Sequence, residues 1–163
     1  MKKIGILSDT HSFIDDRIIN FFKDCNEIWH AGDIGDISIF NHFENKTIRA
    51  VNGNIDDTKI KSIYPEYQIF DCENHKVLIT HIAIQTGRYN NSTKNLINKY
   101  SPTVLICGHS HILKVFFDKK NNLLFINPGA AGKQGFHVVR TAIRLIIEKE
   151  KISELEIIEL PRY

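Results

Sequence analysis

The sequence has no C-x-x-C pair, and its three cysteines, Cys25, Cys72 and Cys107, are odd in number and widely spaced. That pattern excludes a disulfide framework and a structural zinc site and fits a reducing compartment, so a cytoplasmic location is expected. A signal peptide is not expected, because Lys2 and Lys3 precede only IGIL before Ser8 and Asp9. No later apolar run approaches the length of a membrane span. Charge of one sign is not in excess either: 21 Lys and Arg against 19 Asp and Glu leave a formal net charge of +2. So even a balance gives no electrostatic ground for a long nucleic acid or a membrane surface as partner. Internal repeats, linkers and low-complexity segments are absent, and 163 residues with 42% hydrophobic content suit one domain over residues 1–163.

What is present is a series of short apolar bursts: KIGIL, EIWH, TIRAV, YQIF, KVLIT, TVLIC, KVFF and LLFI. Several are apolar at consecutive positions, as in sheets covered on both faces, and they are expected to be strands. Between them, residues 15 to 23, 36 to 44 and 93 to 100 carry apolar residues near the helical period, which predicts helices there. The closing stretch TAIRLIIEKEKISELEIIEL contains good helix formers. Its Ile-rich halves are split by a charged EKEKIS, which favours a hairpin over one helix.

The polar residues of interest follow strands: SDTH, HAGDIGD, VNGN, LITH and CGHSH. In open sheets with covering helices, the carboxyl ends of strands form a rim where ligands bind. That rim receives Asp9, His11, Asp33, Asn54, His81, His109 and His111, a mixed oxygen and nitrogen set without thiolate, suited to metal. Asp9 with His11 and His109 with His111 are two apart, and in an extended backbone such pairs point the same way. Gly32, Gly53 and Gly108 precede Asp33, Asn54 and His109 and allow close backbone approach. Seven ligands exceed the needs of one ion, whereas two ions about 3.5 to 4 Å apart sharing a carboxylate would use them all and clamp a phosphoryl group.

The blocks DTH, GD, GN, H and GHSH, in this order over residues 9 to 111, resemble those of the calcineurin-like metallophosphoesterases, and the short length is similar to their small microbial phosphodiesterase branch. INPGAAG further along resembles an Asn-Pro-Gly turn of that branch. The resemblance implies an α/β fold, a four-layer αββα sandwich of two mixed β-sheets flanked by helices. It also implies one ion on Asp9, His11 and His111, a second on Asn54, His81 and His109, and Asp33 bridging, with Asp33, Asn54 and His109 serving catalysis. The expected activity is hydrolysis of small phosphodiesters by a hydroxide bridging the two metals. Manganese is the expected ion from the resemblance, with iron, nickel and zinc suited to the same donors. The alternative is a non-enzymatic metal-containing binding module, since the retromer scaffold subunit resembles the same fold. A homodimer is compatible with the sequence.

Two departures stand out. Many relatives read GNH where this chain has Ile55, so a histidine that would assist the leaving group is absent. Positioned acid catalysis is worth ~10²- to 10⁴-fold, so good leaving groups and strained cyclic diesters should be favoured over alkyl monoesters. Ile82 replaces the glycine of a family THG, and the loop after it places Arg88 and Tyr89 as expected substrate contacts, a guanidinium fork suiting phosphate oxygens. The remaining polar residues read as ordinary. Asp15, Asp16, Asp36 and Asp56 suit helix starts and turns, His30 a backbone hydrogen bond at a strand end, and Asn127 its own turn. His137, Lys133 and Arg140 are expected to be solvated.

Overall fold

A computed structural model of the chain describes residues 1–163. Twelve strands form in chain order: β1 (Lys2–Leu7), β2 (Glu27–His30), β3 (Thr47–Ala50), β4 (Tyr67–Cys72), β5 (His75–Thr80), β6 (Ile84–Gln85), β7 (Arg88–Tyr89), β8 (Val104–Ile106), β9 (Leu113–Asp118), β10 (Leu123–Pro128), β11 (Val139–Glu148) and β12 (Lys151–Pro161). Helices α1 (Asp16–Phe21), α2 (Thr58–Ile63) and α3 (Asn91–Tyr100) and a 3₁₀ segment, Ile37–Phe43, complete it. One five-stranded sheet runs β12-β11-β1-β2-β3 and the other β4-β5-β8-β10-β9. Both are mixed: β1, β2 and β3 are parallel, as are β5, β8 and β10, while β11 lies antiparallel to β1 and β9 to β10.

The layers follow from side-chain alternation along each strand. Ile4 and Ile6 of β1, Val77 and Ile79 of β5, and Val104 and Ile106 of β8 meet between the sheets in one buried cluster with Trp29, Ile143 and Leu145. The opposite faces are also apolar. Leu7 and Ile28 pack outward against Ile18, Phe22, Phe40 and Phe43. Leu78 and Leu105 pack outward against Leu96 and Ile97 of α3. Two sheets covered on both faces give four layers, which accounts for the consecutive apolar residues in the strands. Gly5 leaves room for the residue that ends α1, since a Cβ there would sit 2.7 Å from the Phe22 ring. Burial of a side chain such as Phe22, fully shielded from solvent, contributes about 1.5–3 kcal/mol.

The expected elements form, with differences of physical origin. The closing stretch forms the hairpin of β11 and β12 that its Ile pattern predicts. The helix predicted over 36 to 44 tightens into the 3₁₀ segment, started by Asp36, whose carboxylate accepts from Ser38 N. Asp15 caps α1 by accepting from Arg17 N. Arg140, expected in solvent, is 1% exposed and donates to Asp15 Oδ2 at 2.9 Å and to the Pro161 carbonyl at 3.0 Å. These bonds tie β11 and the end of β12 to the start of α1. No helix is long and apolar enough to cross a membrane, and all three cysteines are buried and unpaired.

Candidate metal centre

The carboxyl ends of β1, β2, β3, β5 and β8 bring Asp9, His11, Asp33, Asn54, His81, His109 and His111 to one edge of the sandwich. Their ligand atoms fall into two groups, Asp9 with His11 and His111, and Asp33 with His81 and His109, each within 4.8 Å. Asp33 joins the two: Oδ1 lies 3.3 Å from His81 Nε2 and Oδ2 lies 3.7 Å from His11 Nε2. Asn54 Oδ1 is 3.0 Å from both His81 Nε2 and His109 Nδ1. Asp9, Asp33 and His81 are buried, whereas Asn54 and His109 are exposed, so the centre opens to solvent at those two residues.

The pairs two apart converge, but not through an extended backbone. Asp9, His11, Asp33, His109 and His111 all have positive φ, between 47° and 69°. Left-handed geometry is uncommon outside glycine and costs about 1–3 kcal/mol per residue where it is strained, so its concentration on five candidate ligands marks a built site. Close packing enforces it. A Cβ on Gly53 would sit 2.0 Å from Asp33 Oδ1, and one on Gly108 would sit 1.9 Å from Ser8 Oγ and 2.7 Å from Asp9 Oδ2.

Hydrogen-bond logic tests whether a cation fits. His81 Nδ1 lies 2.7 Å from the Ala31 carbonyl, which can only accept, so Nδ1 carries the proton. In the neutral ring Nε2 is then bare and faces Asp33 Oδ1 and Asn54 Oδ1, both acceptors. Asp9 Oδ1 and His11 Nε2 are buried without a hydrogen-bond partner. Oδ1 faces His111 Nε2 at 3.1 Å but lacks the geometry of a hydrogen bond. A buried centre of acceptors aimed at one another is stabilised by positive charge, and carboxylate, imidazole and amide oxygen suit divalent transition metals. The residues fit a pair of such ions.

The carboxylates draw positive charge onto the centre: burial opposes protonation of His81, but Asp33 and Asp9 raise its imidazole above the ordinary value. Burial alone would raise the Asp9 carboxyl, but His111, His81 and Ser8 hold it below its ordinary value. Burial likewise opposes ionisation of Asp33, yet His81 and the Ile55 N–H keep it low. His30, beneath the centre, is pushed down to about 3 by burial first, with Asp9 and Asp33 opposing and His81 and His11 adding to the fall. It therefore stands neutral: Nδ1 accepts from Gly32 N at 3.1 Å, and Nε2 donates to Thr10 Oγ1 at 3.0 Å, which donates to the Ile34 carbonyl.

Three residues read as ordinary in the sequence support the centre. Asp56 is buried and accepts from Ile34 N, Gly35 N and Gly53 N, clamping the loops that carry Asp33 and Asn54. Asn127 accepts from Gly129 N within its own turn and also donates to the Gly108 carbonyl beside His109. His137, expected in solvent, meets His111 with Nδ1 atoms 3.1 Å apart. Their signal was a short carboxamide, carboxylate or imidazole beside a glycine turn, too common to single out.

The expected substrate contacts, Arg88 and Tyr89, form β7. Arg88 is exposed on the β6–β7 hairpin. Tyr89 is half-buried, donates from its hydroxyl to Asp118 Oδ2 at 3.0 Å, and packs its ring near Phe125. Burial first, then Asp118, push its phenol well above the usual range. Ile55 is exposed, and its N–H donates to Asp33 Oδ1 at 3.0 Å. Beside His109 opens a pocket of about 230 Å³, walled by Ile82, Ile84, Cys107, Ile112 and Phe125, with Lys114 as the one cation in its lining.

Comparison with known proteins places this geometry. The family described as calcineurin-like phosphoesterase superfamily domain matches residues 1–150. A probable metallophosphoesterase of Methanothermobacter thermautotrophicus is 28% identical over 133 residues, covering 78% of this chain and 76% of its own. An archaeal phosphodiesterase of known structure is 27% identical with a TM-score of 0.73, covering 97% of this chain and 99% of its own. Vps29 of Entamoeba histolytica, crystallised with zinc, has a TM-score of 0.75 at 14% identity over 99% of both chains, a likeness of fold alone.

Proposed function

This chain belongs to the calcineurin-like phosphoesterase superfamily, and on that premise we propose that it is a two-metal phosphodiesterase acting on small diesters. The observation that carries this reading is the geometry of the centre: two ligand groups joined by Asp33 and opening at Asn54 and His109 beside an apolar pocket. Asp9, His11 and His111 would hold one ion, and Asn54, His81 and His109 the other. When bound, the pair would lower the pKa of a water toward neutrality and offset charge on the phosphoryl oxygens.

The chain's own residues supply the rest. The Ile55 N–H and the Asp56 clamp fix the Asp33 carboxylate so that both its oxygens stay aimed at the two groups. The open side at Asn54 and His109 admits the phosphate, and the pocket beside His109 takes one apolar ester arm. Arg88 is a proposed phosphate contact, and Tyr89 backs the pocket through Phe125. With Ile55 where a histidine could have assisted departure, catalysis leans on the leaving group. The archaeal phosphodiesterase relative supports the diester reading, and three buried free thiols suit a reducing cytoplasm.

The test is chelation of the purified protein, re-addition of Mn, Ni, Zn or Mg separately, and assay of an aryl phosphodiester beside the matching monoester. Metal-restored turnover of the diester, exceeding that of the monoester, is expected. Stoichiometric metal binding without turnover of either ester would remove the hydrolase reading.

A further inference from the structure

Behind the candidate centre, residues 132–137 form a loop built against one imidazole. A Cβ on Gly135, whose φ is +123°, would sit 2.2 Å from His111 Nδ1, so only glycine lets this loop lie on the ring. A Cβ on Gly132 would sit 2.2 Å from the Thr10 carbonyl, and Gly132 N donates to the Asp9 carbonyl at 3.0 Å. Arg162, near the end of the chain, donates from Nε to the Lys133 carbonyl at 2.9 Å and from Nη1 to the His137 carbonyl at 3.4 Å. The loop is thus pinned from both sides.

Its histidine has one consistent arrangement of protons. His137 Nε2 lies 2.8 Å from the Gly132 carbonyl, an acceptor only, so Nε2 carries hydrogen. In the neutral ring Nδ1 is then bare and can only accept. His111 Nδ1, 3.1 Å away, must supply the proton of that contact. Which nitrogen of a neutral imidazole is left free is set by the bond the other makes, so the neutral His111 ring presents a bare Nε2 toward Asp9 Oδ1. Ala31 does the same for His81 with a backbone carbonyl; on this side of the centre a side chain does it.

We propose that His137 is a positioning residue that locks His111 in its Nδ1-protonated form and so prepares Nε2 as a metal ligand. The proposal rests on the reading of His111 as a ligand and extends it to a residue that acts through His111. Partners of this kind on a ligating imidazole are typically worth 10- to 100-fold in metal affinity.

The test uses ¹⁵N-labelled, metal-free full-length protein and long-range ¹H–¹⁵N spectra of the imidazoles. Wild type is expected to show His111 protonated at Nδ1 and His137 at Nε2. His137→Ala should release His111 to the Nε2-protonated form and weaken one of two zinc-binding steps by about 10- to 100-fold in a chelator competition. His137→Asn, which puts an acceptor oxygen where Nδ1 stands, should keep the wild-type tautomer and most of the affinity. If the alanine variant does not fold, His137→Phe keeps the ring without an acceptor and is read the same way. Nδ1 protonation of His111 persisting without an acceptor at 137, or zinc affinity within twofold of wild type, would overturn the proposal. Neither readout uses ester hydrolysis, so an inactive protein with these spectra would sink the phosphodiesterase reading and leave this one standing.

Discussion

Asp33→Asn should lower turnover of an aryl phosphodiester by about 10³-fold or more while leaving the fold intact by circular dichroism. Asparagine keeps the size of Asp33 and the oxygen that accepts the Ile55 N–H. It loses the charge and the second oxygen that faces His11 Nε2 at 3.7 Å. Metal clamps contribute several kcal/mol of transition-state stabilisation, and about 4 kcal/mol is about 10³-fold in rate. The loss should fall on kcat more than on KM, since the ester arm's pocket beside His109 is unchanged. A variant within tenfold of wild type at saturating metal would show that Asp33 does not join two working ions.

Gly53→Ala should damage stability and metal binding together. The added Cβ meets Asp33 Oδ1 at 2.0 Å and Asp33 N at 2.2 Å. The second contact is with backbone, which a rotamer change cannot relieve. Asp33 or the loop carrying Asn54 must shift, against the hold of Asp56 on Gly53, Ile34 and Gly35. Overpacking of this kind costs about 1–3 kcal/mol, and each kcal/mol lowers Tm by about 2–4 °C in a chain of this size. Gly87→Ala is the control, because a Cβ there meets nothing within 4 Å and tests only the cost of its φ of +77°. The crowding argument requires Gly53→Ala to lose metal affinity and Gly87→Ala to keep it; equal behaviour of the two would refute it.

The strands were legible because each is a short apolar burst, and burial of both faces of each sheet makes that burst continuous. Less was legible where the signal is thin. Helix α2 buries only Ile60 and is started by Asp57, whose carboxylate accepts from Ile60 N, so its six residues carry no apolar stripe. The β6–β7 ribbon is two residues a side, shorter than any periodicity can register. At the site, all seven candidate ligands could be named from Asp, Asn and His at strand ends, three of them preceded by glycine. The reason for their convergence could not. Spacing two apart suggests extended backbone, whereas five of the seven turn left-handed, a conformation set by contacts among loops far apart in the chain. His137 was missed for the same reason, since its partner lies 26 residues away and only the folded loop brings the rings together. Gly135 and His137 hold the segment 132–137 against His111. The pocket's walls come from Ile82 and Ile84 and from the strands around Phe125.

The most direct measurement is the number of ions bound per chain at saturation, by elemental analysis after dialysis against manganese or zinc, for wild type and Asp33→Asn. Two ions per wild-type chain are expected, with the second weakened or lost in the variant. One ion or none in wild type, or two held equally by the variant, would contradict a paired centre bridged by Asp33.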